Sequence, residues 1–98
     1  MYEILVGVNV TDEEKYQKYR DGMMPILNRY GGEFVYDFKI AEVLKSPGNE
    51  KVNRVFTIQF PSEEKKNTFF QDTGYMQVRK EFFETSVDTT VMIASYKK

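Results

Sequence analysis

The chain contains no histidine, no cysteine and no tryptophan. The missing histidine excludes the most. It removes the commonest general base near neutral pH, the commonest zinc ligand and the usual axial ligand of haem. A histidine-based catalytic triad and a histidine-rich metal centre are therefore ruled out. Without cysteine there is no disulfide framework, no thiolate nucleophile and no sulfur ligand. Charge of neither sign is in excess: 14 basic and 15 acidic residues leave a net −1. That balance produces no long-range field for nucleic acid or an anionic membrane surface. The basic doublet Lys65-Lys66 follows Glu63-Glu64 directly and reads as a solvated helix face. No apolar run approaches the roughly 18 residues of a membrane span. The opening MYEILVGVNV lacks the basic lead-in of a signal peptide. The expectation is a soluble, cytoplasmic protein with no cofactor, no metal, and neither nucleic acid nor membrane as partner.

Aromatic residues are plentiful, with eight Phe and seven Tyr. A length of 98 residues corresponds to a single domain over 1–98. A domain this short buries only about two-thirds of the surface of its unfolded chain, so its core is thin.

Tyr2 to Val10 alternates strictly: Tyr2, Ile4, Val6, Val8 and Val10 fall on one face of a strand. Thr11, with Glu14 three residues on, has the spacing of a capping box for the helix that follows. Tyr16, Tyr19, Met23, Ile26, Leu27 and Tyr30 make one helical stripe, and Pro25 after Gly22 predicts a bend. Gly31-Gly32 ends this helix, since glycine takes the left-handed conformation without steric cost. Alternation over Glu33 to Leu44 predicts a second strand, with Phe34, Tyr36, Phe38 and Ile40 on one face and Val35, Asp37, Lys39 and Ala41 on the other. KSPGNEK is a loop. Val52 to Phe60 is a third strand, Ser62 caps a second helix, Asp72-Thr73-Gly74 interrupts it, and Val87 to Tyr96 is the last strand.

Strand, helix, strand, strand, helix pair, strand is the ferredoxin-like order: an α+β fold with one four-stranded antiparallel sheet and helices on one face. The face without helices should be polar in a monomer. Here Leu5, Val35, Ala41 and Val55 stand opposite the main apolar rows, which predicts a second subunit on that face and hence a homodimer.

The segments DEEKYQKY, PILNRYGGEF, RVFTIQFPSEE and DTGYMQVRKEFF together resemble the family called domain of unknown function 1330, within the dimeric α+β barrel superfamily. The resemblance covers nearly the whole chain. It implies two ferredoxin-like sheets packed face to face. Superfamily members include cofactor-free monooxygenases, small isomerases, haem-handling enzymes and ligand-binding modules. Relatives tend to carry Arg-Gly-Gly where this chain has Asp37, Phe38 and Lys39, and an arginine where it has Phe82. Arg54 and Tyr75 match. An anion site built on the relatives' arginines would be incomplete here.

Asn9, Asp37, Lys39, Arg54 and Gln59 are polar residues within strands, several of them expected on the face away from the Phe/Ile rows. Asp37 has the chemistry of a base and Arg54 that of an oxyanion or carboxylate clamp; equally, the two suit an exposed cross-strand pair. Tyr16, Tyr19, Tyr30 and Tyr75 suit either pocket walls or core. The candidate ligand-binding set is Asn9, Asp37, Arg54 and Tyr75. Three functions fit: a module binding a small apolar or aromatic molecule without catalysis, a cofactor-independent monooxygenase- or isomerase-like enzyme, and a structural dimerisation module.

Overall fold

The computed structural model describes all residues, Met1–Lys98. The elements are β1 (Tyr2–Val10), α1 (Glu13–Arg29), β2 (Glu33–Lys39), β3 (Arg54–Phe60), α2 (Glu63–Gln71), α3 (Thr73–Val78), a π-helical turn (Arg79–Phe83) and β4 (Val87–Lys97). All strand pairs are antiparallel, in the order β2-β3-β1-β4. This is the ferredoxin-like α+β arrangement that the element order predicts. The alternating row Tyr2, Ile4, Val6, Val8 and Val10 is buried in one core with Tyr16, Tyr19, Met23, Leu27, Phe60, Phe69 and Tyr75 from the other elements.

Gly31 and Gly32 close α1 as a Schellman turn. The Gly31 N–H donates to the Asn28 carbonyl and the Gly32 N–H to the Leu27 carbonyl, both at 3.0 Å. Gly31 has φ 76°, in the left-handed region, and a side chain there would strike Pro61. A side chain at Gly32 would collide with Leu27. The pair is thus required by conformation at one position and by space at the next.

Three local expectations are corrected. The N-cap of α1 is Asp12, whose carboxylate accepts from the Lys15 N–H at 3.0 Å. Thr11 instead donates both its N–H and its hydroxyl to the carbonyl of Ser86, which directly precedes β4, so its side chain is turned to that residue. α1 is one continuous helix through Pro25, and Gly22 is the point where Val78 of α3 packs close. β2 ends at Lys39 rather than Leu44, and β3 starts at Arg54 rather than Val52. There, Asn53 reaches β1: its side-chain amide accepts from the Val10 N–H at 2.8 Å and donates to the Val10 carbonyl at 2.9 Å. The break between the paired helices is Asp72 alone: α3 already begins at Thr73, and it widens into the π-helical turn after Val78.

The largest correction concerns the phase of β2. Phe34 pairs with Ile58, but Asp37 pairs with Phe56, so a β-bulge lies between them. One extra residue inverts the alternation. Asp37 therefore joins Phe34 on the helix-covered face, while Tyr36 and Phe38 lie exposed and stacked on each other, centroids 5.8 Å apart. The bulge frees the Tyr36 N–H, which donates to the Thr57 hydroxyl at 3.0 Å.

On the far face, Glu3 is buried on β1. Tyr96 donates to one of its carboxylate oxygens and the Lys98 ammonium meets the other at 2.9 Å. The Tyr96 hydrogen bond, then that of Lys98, holds the Glu3 carboxyl below its ordinary value of 4.5. A depressed native pKa contributes stability above the unfolded value, and that contribution is lost as pH falls through the native one. Glu3→Gln is therefore expected to lower stability at neutral pH and to flatten its decline below pH 4.5, measured by urea denaturation from pH 7 to pH 3. An unchanged acid slope would contradict the assignment. Asp72 and Glu50, also held low, account for a residual slope.

Candidate functional site

The helix-covered face of the sheet divides into two regions. The first lies between α1 and the strands β2 and β3. Arg20 of α1 is buried there, although it is a cation on the apolar stripe. Its guanidinium carbon stands 4.1 Å from the centre of the Phe34 ring, 4.8 Å from Phe56 and 5.1 Å from Tyr16. Aromatic faces attract a cation, and a desolvated guanidinium gains more from them than an exposed one. The charge still needs a counter-ion. Asp37, re-aimed by the bulge, supplies it through two parallel bonds, Nη1 to Oδ2 at 3.0 Å and Nη2 to Oδ1 at 3.2 Å. A third donor, Nε, goes to the Tyr16 hydroxyl at 2.9 Å.

Arg54 joins from β3. Its Nη1 is 3.5 Å from Asp37 Oδ2, and its Nη2 donates to Glu13 at 3.3 Å. Its Nε is buried without a partner. Two arginines, Asp37 and Glu13 thus form a charge-balanced cluster, with Tyr16 5.1 Å beneath the Arg54 guanidinium.

The second region lies over β1, β4 and the adjoining Phe56 and Ile58 of β3, beneath α3 and the π-helical turn. Here the core opens into a cavity of about 610 Å³, lined by 16 residues of which 11 are hydrophobic. That volume is in the range of small-molecule sites, about 300–1,000 Å³. Ile4, Val6, Val8, Phe56, Ile58 and Met92 form its floor. Tyr19, Phe70, Tyr75 and Phe83 form its walls, and Arg79, Lys80 and Glu84 are exposed at its rim. Arg79 and Glu84 pair at 3.5 Å. π-helical turns recur at functional sites because the wider turn redirects side chains. Here the turn sets Phe83 against Tyr19, ring centres 4.8 Å apart, while the Glu84 N–H reaches the Arg79 carbonyl.

Tyr75 is held by a relay from the end of α1. Tyr30 donates to Asp72 Oδ2 at 2.6 Å, and Asp72 Oδ1 accepts from the Tyr75 N–H at 2.9 Å as the N-cap of α3. The Tyr30 bond is the main reason that the Asp72 carboxyl lies below its ordinary value. Inside, the Tyr19 and Tyr75 hydroxyls meet at 2.9 Å. Burial pushes both above the usual tyrosine range, Tyr19 the further.

The candidate residues from the sequence therefore separate. Asp37 and Arg54 come together, but on the helix-covered face, not the open face expected of strand polar residues, and Arg20 is their principal partner. Tyr75 lines the large cavity. Asn9 lies on the opposite face, where its amide donates to Asp88 at 2.9 Å. Asn9 and Gln59 do face away from the Phe/Ile rows, whereas Lys39 pairs with Arg54 on the helix-covered side. Of the four candidate tyrosines, Tyr19 and Tyr75 line the cavity, Tyr16 supports the arginines and Tyr30 anchors Asp72. Arg20 was not among the candidates. Its position four residues after Tyr16 and three before Met23 is the signal that marks it as inward-facing.

Fold and site geometry together place the chain among ferredoxin-like α+β proteins. A protein of unknown function from Rhodopseudomonas palustris is similar in structure, with TM-score 0.83 and 21% identity over 99% of this chain and 81% of that one. So are a candidate antibiotic biosynthesis monooxygenase from Nitrosomonas europaea (TM-score 0.68, 11% identity, 100% and 98% covered) and an uncharacterised NIPSNAP domain protein from Burkholderia xenovorans (TM-score 0.68, 10% identity, 100% and 94% covered). At these identities the likeness establishes the fold alone. No curated protein matches the chain. The chain belongs to the family described as domain of unknown function DUF1330, whose model matches residues 2–96.

Asp37→Ala leaves Arg20 buried without its carboxylate. A fully buried pair broken in this way loses about 3–5 kcal/mol; with Asp37 still 36% exposed, a loss of about 2 kcal/mol in urea denaturation is expected. A loss under about 0.5 kcal/mol, typical of a surface substitution, would contradict the counter-ion role.

Proposed function

We propose that this protein is a homodimeric binding module that holds a small apolar or aromatic molecule between its sheet and its helices. The observation that carries this reading is the cavity of about 610 Å³, whose floor and walls are mostly apolar. Binding without catalysis is favoured over enzyme chemistry by what lines it. Its one carboxylate, Glu84, is exposed and paired with Arg79, so the cavity offers no buried base. The Asp37–Arg20–Arg54 cluster supports this region from beside it: Arg20 bears on Phe56, a residue of the cavity floor.

The second part of the reading concerns the sheet face without helices. Tyr36 and Phe38 are more than half exposed on the β2 edge of this face and Ile93 is half exposed on its β4 edge, while Val55 of β3 and Val91 of β4 are half-buried. The segment after β2 adds Leu44, 89% exposed, and with Val52 and Val55 borders a further apolar hollow. Exposed apolar side chains on a sheet face without helices mark an interaction site, and a second copy of the same face is its self-complementary cover.

Two measurements test the two parts separately. Thr90→Phe places a ring at the cavity edge from an exposed position; affinity for naphthalene-type probes in NMR titration is expected to fall about tenfold or more. Unchanged affinity would move the binding site elsewhere. Sedimentation equilibrium at micromolar concentration is expected to give a dimer that Ile93→Glu dissociates; a monomeric unmodified protein would contradict the pairing.

A further inference from the structure

Tyr19 and Tyr75 meet hydroxyl to hydroxyl, both buried, on the wall of the cavity. A phenol has one hydrogen to donate and lone pairs to accept with. One O–H···O bond uses one of the pair's two hydrogens. The bond between them is the only one that either oxygen makes within the protein. Whichever oxygen donates across the pair, one hydroxyl hydrogen is therefore left without a protein acceptor. Of the lining residues, Gln77, Glu84 and Thr90 carry side-chain oxygens, and none of them bonds to either hydroxyl. Buried polar groups without partners are rare and mark either a water or a ligand position. Because burial raises both phenols, the pair remains protonated near neutral pH and acts as a donor rather than a base.

We infer that the ligand of this cavity carries one uncharged oxygen acceptor, such as a ketone carbonyl, and that the leftover hydroxyl hydrogen of the Tyr19–Tyr75 pair orients it. An ionised acceptor fits poorly. The cavity's two cations, Arg79 and Lys80, are exposed at the rim, so a carboxylate at the tyrosines would lose its water without gaining a counter-charge. The inference rests on the reading of the cavity as a binding site and adds what is recognised there.

The test compares three probes of one shape on the full chain by NMR titration or calorimetry: methyl naphthyl ketone, isopropenyl naphthalene and naphthoate. The ketone is expected to bind about fivefold more tightly than the hydrocarbon, the size of one net neutral hydrogen bond. Naphthoate is expected to bind more weakly than the ketone. In the Tyr19→Phe, Tyr75→Phe double variant the ketone and hydrocarbon should bind alike, with hydrocarbon binding retained. Each single variant keeps one hydroxyl with a free hydrogen, so a preference should persist in both. Equal binding of ketone and hydrocarbon to the unmodified protein would overturn the inference, as would a preference surviving the double variant, while leaving the cavity reading intact. Failure of all three probes to bind would remove that reading too. Should the double variant not fold, the order of the three probes on the unmodified protein decides the matter.

Discussion

A buried guanidinium must have a carboxylate, and much of this structure is arranged around meeting that demand at Arg20. Burial places the charge among the Phe34, Phe56 and Tyr16 rings, where an unpaired cation would be strongly destabilising. The carboxylate comes from β2, whose regular alternation would have pointed Asp37 the other way. A bulge corrects the direction, and the Thr57 hydroxyl takes the backbone N–H that the bulge releases. Helix α1, strand β2 and strand β3 are thereby fixed to one another by directional bonds rather than by apolar contact alone. The same inversion sends Tyr36 and Phe38 outward, so the device that settles the inner face also makes the outer face apolar.

Fixing one side of the helix–sheet interface leaves the other side free to open. Over β1, β4 and the adjoining part of β3 the covering elements are the short α3 and a π-helical turn. Their position depends on Asp72, which receives the Tyr30 hydroxyl from the end of α1 and caps α3 with its second oxygen. The Schellman turn at Gly31-Gly32 sets where Tyr30 stands. A chain of local requirements thus runs from the two glycines to the tyrosine on the cavity wall. The result is one core with a charged, tightly bonded side and an apolar, hollow side, on a fold shared with proteins of several kinds. Fold alone therefore does not define function.

Much of this was legible in the sequence. Strict alternation in Tyr2–Val10 and Arg54–Phe60 reports the buried rows correctly, because both strands are central and their pairing with each other is regular. The helix closing at Gly31-Gly32 was legible because few conformations other than the observed one need two glycines there. β2 was not, because a single inserted residue reverses every later side chain without altering composition. That one inversion misplaced Asp37, Tyr36 and Phe38 together. The N-cap was misread for another reason: Thr11 and Asp12 are both competent caps, and the choice is made by Ser86, distant in the chain. Arg20 falls on the apolar stripe but was not read as inward-facing, and its partner lay on the misread strand, so the pair was not assembled from either side.

The central claim is that one helix–sheet interface is solid on one side and hollow on the other. Methyl NMR of the protein under xenon pressure tests this most directly, since xenon enters apolar voids and shifts the methyl groups that line them. The account predicts the largest shifts at Ile4, Val6, Val8, Ile58 and Met92, with Met23, Ile26 and Leu27 in the packed core little changed. Shifts of equal size in both groups, or none at the cavity methyls, would contradict it.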